Sequence, residues 1–290
     1  MRSALENLRS DYRGFEQLTK LSAAGESCFL DKIEIDMQKV NWFDANMCSP
    51  FGAVLYRLSR ELNTISLTNI KAEVEGSLAR NGFLSNYGRE SRTDSYGTTI
   101  EYMRLEPQDD RFFGSYIETH LLDKQIPRMS PDLRKKFVES IFEIFSNAAI
   151  HSGTKMGIFS CGQFYPKKQW LRFTITDLGV GIRRNVEEKA GKRLSAEKAI
   201  AWAVAGTNTT KKDLIPGGLG LKLLREFIRM NKGTIQIASD RGYWEQQQDG
   251  QVLEKLFHEA FPGTVVNIGI NTSDVSSYCL TSEIRPEEVF

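Results

Sequence analysis

Residues 170–176, Trp-Leu-Arg-Phe-Thr-Ile-Thr, alternate apolar and polar side chains from Leu171 onward, a period that belongs to a β-strand and not to a helix. The chain leaving that strand, Asp177-Leu-Gly-Val-Gly-Ile182, has to turn at once. Gly179 and Gly181 permit a tight turn and let backbone approach a neighbour or a ligand closely. An aspartate at a strand end before two such glycines is either part of a plain hairpin or loop turn, or one wall of a binding site. Two further segments bear on that choice, Glu143-Ile-Phe-Ser-Asn147 before the strand and Gly217-Gly-Leu-Gly-Leu221 after it.

Ser130-Pro131-Asp132 reads as a helix start, with a capping hydroxyl, proline in the first turn and an acid near the positive helix end. Leu133, Phe137, Ile141, Ile144, Phe145 and Ala148 recur at helical spacing and predict a core-facing stripe. Glu143, Asn147 and His151 follow one another at i, i+4 and share a polar stripe at its edge. Taken alone, that stripe is equally the ordinary polar flank of a packed helix. Downstream, residues 206–218 are polar and glycine-containing, and Leu219 to Met230 forms the next predicted helix. Its first turn offers free backbone N–H groups and a positive dipole end, which suit phosphate oxygens. Residues 234–239 and 263–270 predict strands. Between them, residues 243–261 carry Leu253, Leu256, Phe257 and Phe261, a pattern that reads as a packing helix or a partner surface.

The first part of the chain is organised differently. Residues 28–36 alternate as a strand, Pro50 to Leu62 reads as a helix with Ser49 as its cap, and Thr64 to Thr68 as a second strand. Ala72 to Asn81 predicts a helix closed by Gly82. This β-α-β-α order implies a small sheet with helices packed on it. Residues 86–110 are rich in Asn, Tyr, Gly, Arg, Ser, Thr and Asp and read as a connection in which residues 94–105 supply a strand, followed by a helix over Phe112 to Leu122. The division that results is 1–105 and 106–290.

Bulk properties narrow the function. A formal net charge of +1 gives no global pull toward nucleic acid or acidic membranes. The four cysteines are far apart, form no Cys-x-x-Cys pair and read as reduced thiols of a cytoplasmic chain. No apolar run of membrane-spanning length or signal-peptide core is present.

In this order, the Glu143–Asn147 helix, the Asp177-x-Gly179-x-Gly181 turn and the glycine-rich helix start resemble the histidine-kinase-like ATPase superfamily, and Asn147-Ala-Ala-Ile-His151 is closer to its anti-sigma serine kinases than to gyrase. The resemblance implies an α/β fold whose C-terminal part is a two-layer sandwich of the Bergerat type, a mixed sheet covered by helices, and it implies ATP and Mg²⁺ as cofactors. It assigns Glu143 as the base acting on water or a substrate hydroxyl, and Asn147 as the Mg²⁺ ligand. Asp177 would accept the exocyclic amino group of adenine, with Gly179, Gly181 and Ile182 shaping the turn and the Thr264 hydroxyl assisting through water. Thr210 and Lys211 match the ATP lid, and Gly218, Leu219, Gly220 and Leu221 the phosphate-binding helix start. Pro216 replaces the first glycine of the family's pattern. A sensor histidine kinase is disfavoured, because His120, His151 and His258 are the only histidines and none opens a His-Glu-type acceptor helix.

Residues 28–88 resemble a degenerate STAS domain through Val40-Asn-Trp-Phe-Asp44-Ala-Asn, the Pro50 helix, Ile65-Ser-Leu-Thr-Asn69 and Leu78-Ala-Arg-Asn-Gly82. In that family a serine beside the aspartate receives phosphate from a partner kinase, and Ala45 stands at that position here. Together the two resemblances imply a bacterial Mg-ATP-binding regulator with serine-kinase-like phosphotransfer or slow ATPase activity and a protein partner, with the STAS-like part as the candidate surface for it. The alternative is a noncatalytic module in which ATP gates protein binding.

Overall fold

The computed structural model describes residues 1–122, 124–205 and 219–283. Its first elements are β1 (Arg2–Ala4), α1 (Tyr12–Ala24), β2 (Lys32–Asp36), α2 (Cys48–Ser59), β3 (Thr64–Thr68) and α3 (Ala72–Arg80). β2 lies between β1 and β3, and both pairings are parallel. The β-α-β-α order expected from residue 28 onward is present, with β1 and α1 added in front of it. Asp11 caps α1 by accepting the Gly14 N–H at 2.9 Å. Ser49 departs from expectation. A short 3₁₀ turn, Ala45–Met47, runs directly into α2, so Ser49 sits inside the helix and donates to the Phe159 carbonyl at 3.0 Å instead of capping.

The remaining elements are β4 (Thr99–Leu105), α4 (Asp110–Tyr116), β5 (Arg128–Met129), α5 (Pro131–His151), β6 (Ile158–Tyr165), β7 (Trp170–Asp177), α6 (Ile182–Ala190), α7 (Ala196–Val204), α8 (Leu219–Met230), β8 (Thr234–Gln246), β9 (Val252–Asn271) and β10 (Ser277–Tyr278). Ser130 caps α5 as its sequence predicts, accepting the Leu133 N–H at 3.2 Å. A five-stranded sheet in the order β4-β6-β7-β9-β8 forms the middle of the molecule. The sequence reading expects a mixed sheet there; every pairing in it is antiparallel, because β6–β7 and β8–β9 are hairpins and β4 returns antiparallel onto β6. β4 belongs to this sheet although it precedes residue 105.

Residues 243–261 are a second departure. They continue β8 and β9 as a long hairpin arm and form no helix. Residues four apart share a face in both a helix and a strand, so Leu253, Phe257 and Phe261 fit either period. Leu256 decides between them: it is 49% exposed while Phe257 beside it is buried, as strand alternation requires. Phe257 stacks on Tyr12 with ring centroids 5.2 Å apart, which pins the arm to α1.

Both faces of the five-stranded sheet are covered. On one, Leu171, Phe173 and Ile175 of β7 with Ile235, Ile237, Ile268 and Ile270 pack against the α5 stripe (Phe137, Ile141, Ile144, Phe145, Ala148) and against Leu224, Phe227 and Ile228 of α8. On the other, Cys161, Ala238, Tyr243, Phe257, Phe261 and Val265 join a core with Phe15 and Leu18 of α1 and Phe51, Val54 and Leu55 of α2. Cys48 and Cys161 are buried free thiols on this side.

The polar residues of β7 point into that second layer, and a ring of hydrogen bonds satisfies them. Asn46 Nδ2 donates to Thr174 Oγ1 and to Asn267 Oδ1, each at 3.0 Å. Asn267 Nδ2 donates to Gln236 Oε1 at 2.7 Å, Gln236 Nε2 to the Ser10 carbonyl at 2.9 Å, and Ser10 Oγ to Asn46 Oδ1 at 3.2 Å, which closes the circuit. All of these side chains are buried. Among the described residues, no helix is long and apolar enough to cross a membrane.

Leaving buried partners unsatisfied costs about 1–3 kcal/mol per group. Asn46→Ala strips Thr174, Asn267 and Ser10 of a partner at once, and urea denaturation should show a loss of roughly 3 kcal/mol or more. A loss within the range of ordinary surface substitutions, about 0.5 kcal/mol, would show that the ring is not what holds the two layers together.

Candidate functional site

β7 ends at Asp177, whose Cα lies opposite Ile158 of β6 on one side and Thr264 of β9 on the other. The chain then has to leave the sheet between two packed elements, and glycine is what makes the exit possible. A Cβ on Gly179 would lie 2.2 Å from the Ser152 carbonyl oxygen at the end of α5. A Cβ on Gly263, whose φ is +153°, would lie 2.0 Å from the Asp177 carbonyl oxygen. The turn is tied on both sides. Val180 N–H donates to the Ser152 carbonyl at 2.9 Å, and Gly179 N–H to Asp177 Oδ1 at 2.9 Å.

Gly181 delivers the chain into α6, and the first amide of that helix is met by the neighbouring strand: Ile182 N–H donates to Ser239 Oγ at 2.9 Å. Ser239 Oγ in turn lies 3.0 Å from the Gly263 carbonyl, which accepts its proton, and 2.9 Å from Thr264 Oγ1. Asp177, Gly179, Gly181, Ile182 and Thr264 therefore converge at one end of the sheet. Ser239 and Ser152 complete the cluster, and sequence reasoning missed both. Ser239 was visible only as the polar end of a predicted strand, and Ser152 as a hydroxyl next to the helix end. Ser152 Oγ donates to the Ala148 carbonyl at 2.5 Å and accepts the Thr154 N–H at 3.0 Å, which ends α5.

Glu143 and Asn147 are half-buried on α5. At 1.5 Å rise per residue they lie roughly 14 and 7 Å up the helix from Ser152, so Asn147 is the nearer to the Asp177 turn along the helix axis. α5 packs on β7 on one side and on α8 on another, and Leu219, Gly220 and Leu221 form the first turn of α8. Thr210, Lys211 and Gly218 lie outside the described residues. Among the described residues, no group of three or more His, Cys, Asp or Glu side chains is placed to hold a metal ion.

Asp177 is buried, and no salt bridge to it forms among the described residues. Burial pushes its carboxyl up to about 7, against the Gly179 N–H, the Ser152 hydroxyl and the Thr264 N–H, which pull it down. A carboxyl poised near neutrality at a strand end, beside two hydroxyls, is suited to meet a hydrogen-bond donor brought by a ligand. Compared with models of known protein families, the chain matches none, and it matches no curated protein.

The raised carboxyl has a consequence for stability. Between the ordinary carboxyl value of 3.8 and about 7 the folded chain keeps a proton that the unfolded chain has lost. Stability from this group is therefore full below pH 4 and falls as pH rises toward and through 7. Asp177→Asn does not titrate. Its melting temperature, measured without ligand and relative to the wild type, should rise by several degrees from pH 4 to pH 8. A difference that stays constant across that range would contradict the burial argument.

Proposed function

We propose that this chain is a cytoplasmic Mg-ATP-binding regulator of the histidine-kinase-like type, with a STAS-like N-terminal part. The observation that carries the reading is the buried Asp177 carboxyl, without a cationic partner among the described residues, at the end of β7 and opposite Thr264. Adenine presents an exocyclic amino group to such an acceptor. Guanine presents a carbonyl there, which would oppose two acceptors, so the pocket favours ATP over GTP. Thr264 stands opposite Asp177 on β9, and Ser239 opposite Thr264 on β8, so their hydroxyls extend the row across the sheet, linked to each other at 2.9 Å.

Asn147 offers an amide oxygen for magnesium, a hard cation that takes oxygen ligands and completes its shell with water and phosphate. The metal would neutralise charge on the transferring phosphoryl group. Glu143, one turn further along α5, is the candidate general base that would take the proton of an attacking water or hydroxyl. The first turn of α8 points backbone N–H groups out of the helix end, where phosphate oxygens are favoured.

A second reading, a noncatalytic module gated by ATP, is favoured by the state of the STAS-like loop. Ala45 takes the place of a hydroxyl acceptor, its N–H donates to Tyr165 Oη at 3.0 Å, and Asn46 is locked in the buried ring. The loop faces the chain's own sheet and not a partner, which fits an internal scaffold.

Calorimetry should find ATP bound at least roughly tenfold more weakly by Asp177→Asn, as expected for loss of a charge-assisted hydrogen bond. Asn147→Asp should mainly change the metal dependence of binding. Equal ATP affinity in the wild type and Asp177→Asn would remove the pocket assignment. With radiolabelled ATP, the enzymatic version expects slow turnover that falls to background in Glu143→Ala. Background in both proteins, with ATP still bound, leaves the gated-module reading.

A further inference from the structure

Away from the Asp177 end, a cavity of about 270 Å³ opens where the first part of the chain meets the β6–β7 hairpin. Arg9, Lys168 and Arg172 all line it. Its acids are already engaged. Asp44 accepts the Ser10 N–H and the Trp42 Nε1–H, each at 2.8 Å, and Asp11 accepts the Gly14 N–H as the cap of α1. Arg172 Nη1 reaches Asp44 only at 3.6 Å and donates to the Ser10 carbonyl at 3.4 Å. Arg9 and Lys168 make no salt bridge among the described residues. Both flank the Trp42 ring, with Arg9 Cζ 5.6 Å and Lys168 Nζ 3.9 Å from its centroid.

Tyr165 adds a donor. Its hydroxyl oxygen accepts the Ala45 N–H at 3.0 Å, and no acceptor for its own proton is found among the described hydrogen bonds. Burial pushes the phenol well above its ordinary value, so it keeps that proton at any physiological pH. Arg9 and Lys168 are exposed at the rim while Ser10 and Asp44 are buried at the floor, so the cavity meets solvent at its cationic edge.

We propose that this cavity is a binding site for a small anion bearing a phosphate or carboxylate group. Three cations, Arg9, Lys168 and Arg172, line the cavity against two carboxylates, Asp11 and Asp44, and the positive charge left over sits at the rim, where an anion offsets it. Arg172 and Arg9 offer planar guanidinium groups suited to paired oxygens, Lys168 a point charge at the rim, and Tyr165 a neutral donor. The volume lies just below the ~300–1,000 Å³ of drug-sized pockets, which limits the ligand to a few heavy atoms beyond its anionic group. Arg9, Asp11 and Asp44 come from the first part of the chain, and Tyr165, Lys168 and Arg172 from the hairpin, so a bound anion tightens the junction between them. The site does not depend on the ATP reading.

Calorimetry on the full chain, at ionic strength held constant with potassium chloride, tests it with inorganic phosphate in one arm and succinate in the other. At least one should bind, and the arm that binds assigns the group. Arg9→Gln/Lys168→Gln should weaken that binding at least roughly tenfold while its melting temperature in chloride alone matches the wild type. Lys168→Gln, at the exposed rim, repeats the measurement with less risk to folding. Neither anion binding above the chloride background overturns the proposal, as does binding that survives the double substitution and so lies elsewhere.

Discussion

The ring that joins Ser10, Asn46, Thr174, Asn267 and Gln236 is the interaction on which the rest of this molecule depends. An antiparallel sheet is commonly wet on one face, and polar residues on that face then need no partner. Here the face is dry. Once α1 and α2 cover it, each amide and hydroxyl of the sheet must find a protein partner or carry the full cost of desolvation. Asn46, placed by the short turn before α2, and Ser10, placed just ahead of α1, provide those partners. Ser49 does the same one turn later, with Thr176 at 2.7 Å.

The same burial sets the chemistry at the end of β7. A strand enclosed on both faces carries its last residue into a medium that disfavours charge, and Asp177 has no cation among the described residues to offset this. The cluster answers with neutral donors alone, chiefly the Gly179 and Thr264 backbone amides. These are enough to orient the carboxyl and too weak to restore its ordinary acidity. A hydrogen-bond donor brought to this carboxyl would stabilise its ionised form. Ser152 links this end to α5, so the helix carrying Asn147 and Glu143 and the turn after Asp177 are positioned by one another.

Where local and tertiary demands agree, the chain is readable. The Ser130 cap, the six-residue stripe of α5, the bounds of β3 and α8 and the turn after Asp177 all follow from spacing and capping chemistry that act within a few residues. The misreadings have equally local causes. Ser49 looks like a cap until the preceding 3₁₀ turn moves the helix start, and residues 243–261 look helical because a four-residue repeat is common to both periods. Ser152 and Ser239 carry no local signal, since their importance lies in what approaches them from sequence positions far away: Val180 for one, Ile182 and Thr264 for the other.

What the sequence by itself determined was part of the set of elements, β3, α5, β7 and α8 among them, with Asp177 at the end of β7 and the glycines that let the chain turn there, because periodicity and backbone sterics act along the chain. Only the tertiary structure decided that the polar face of β7 is buried, that the Ala45–Asn46 loop faces inward and that Asp177 loses its charge near neutrality. Alternation in one strand shows which residues share a face. It does not show what will cover that face, and here the cover comes from residues more than a hundred positions away.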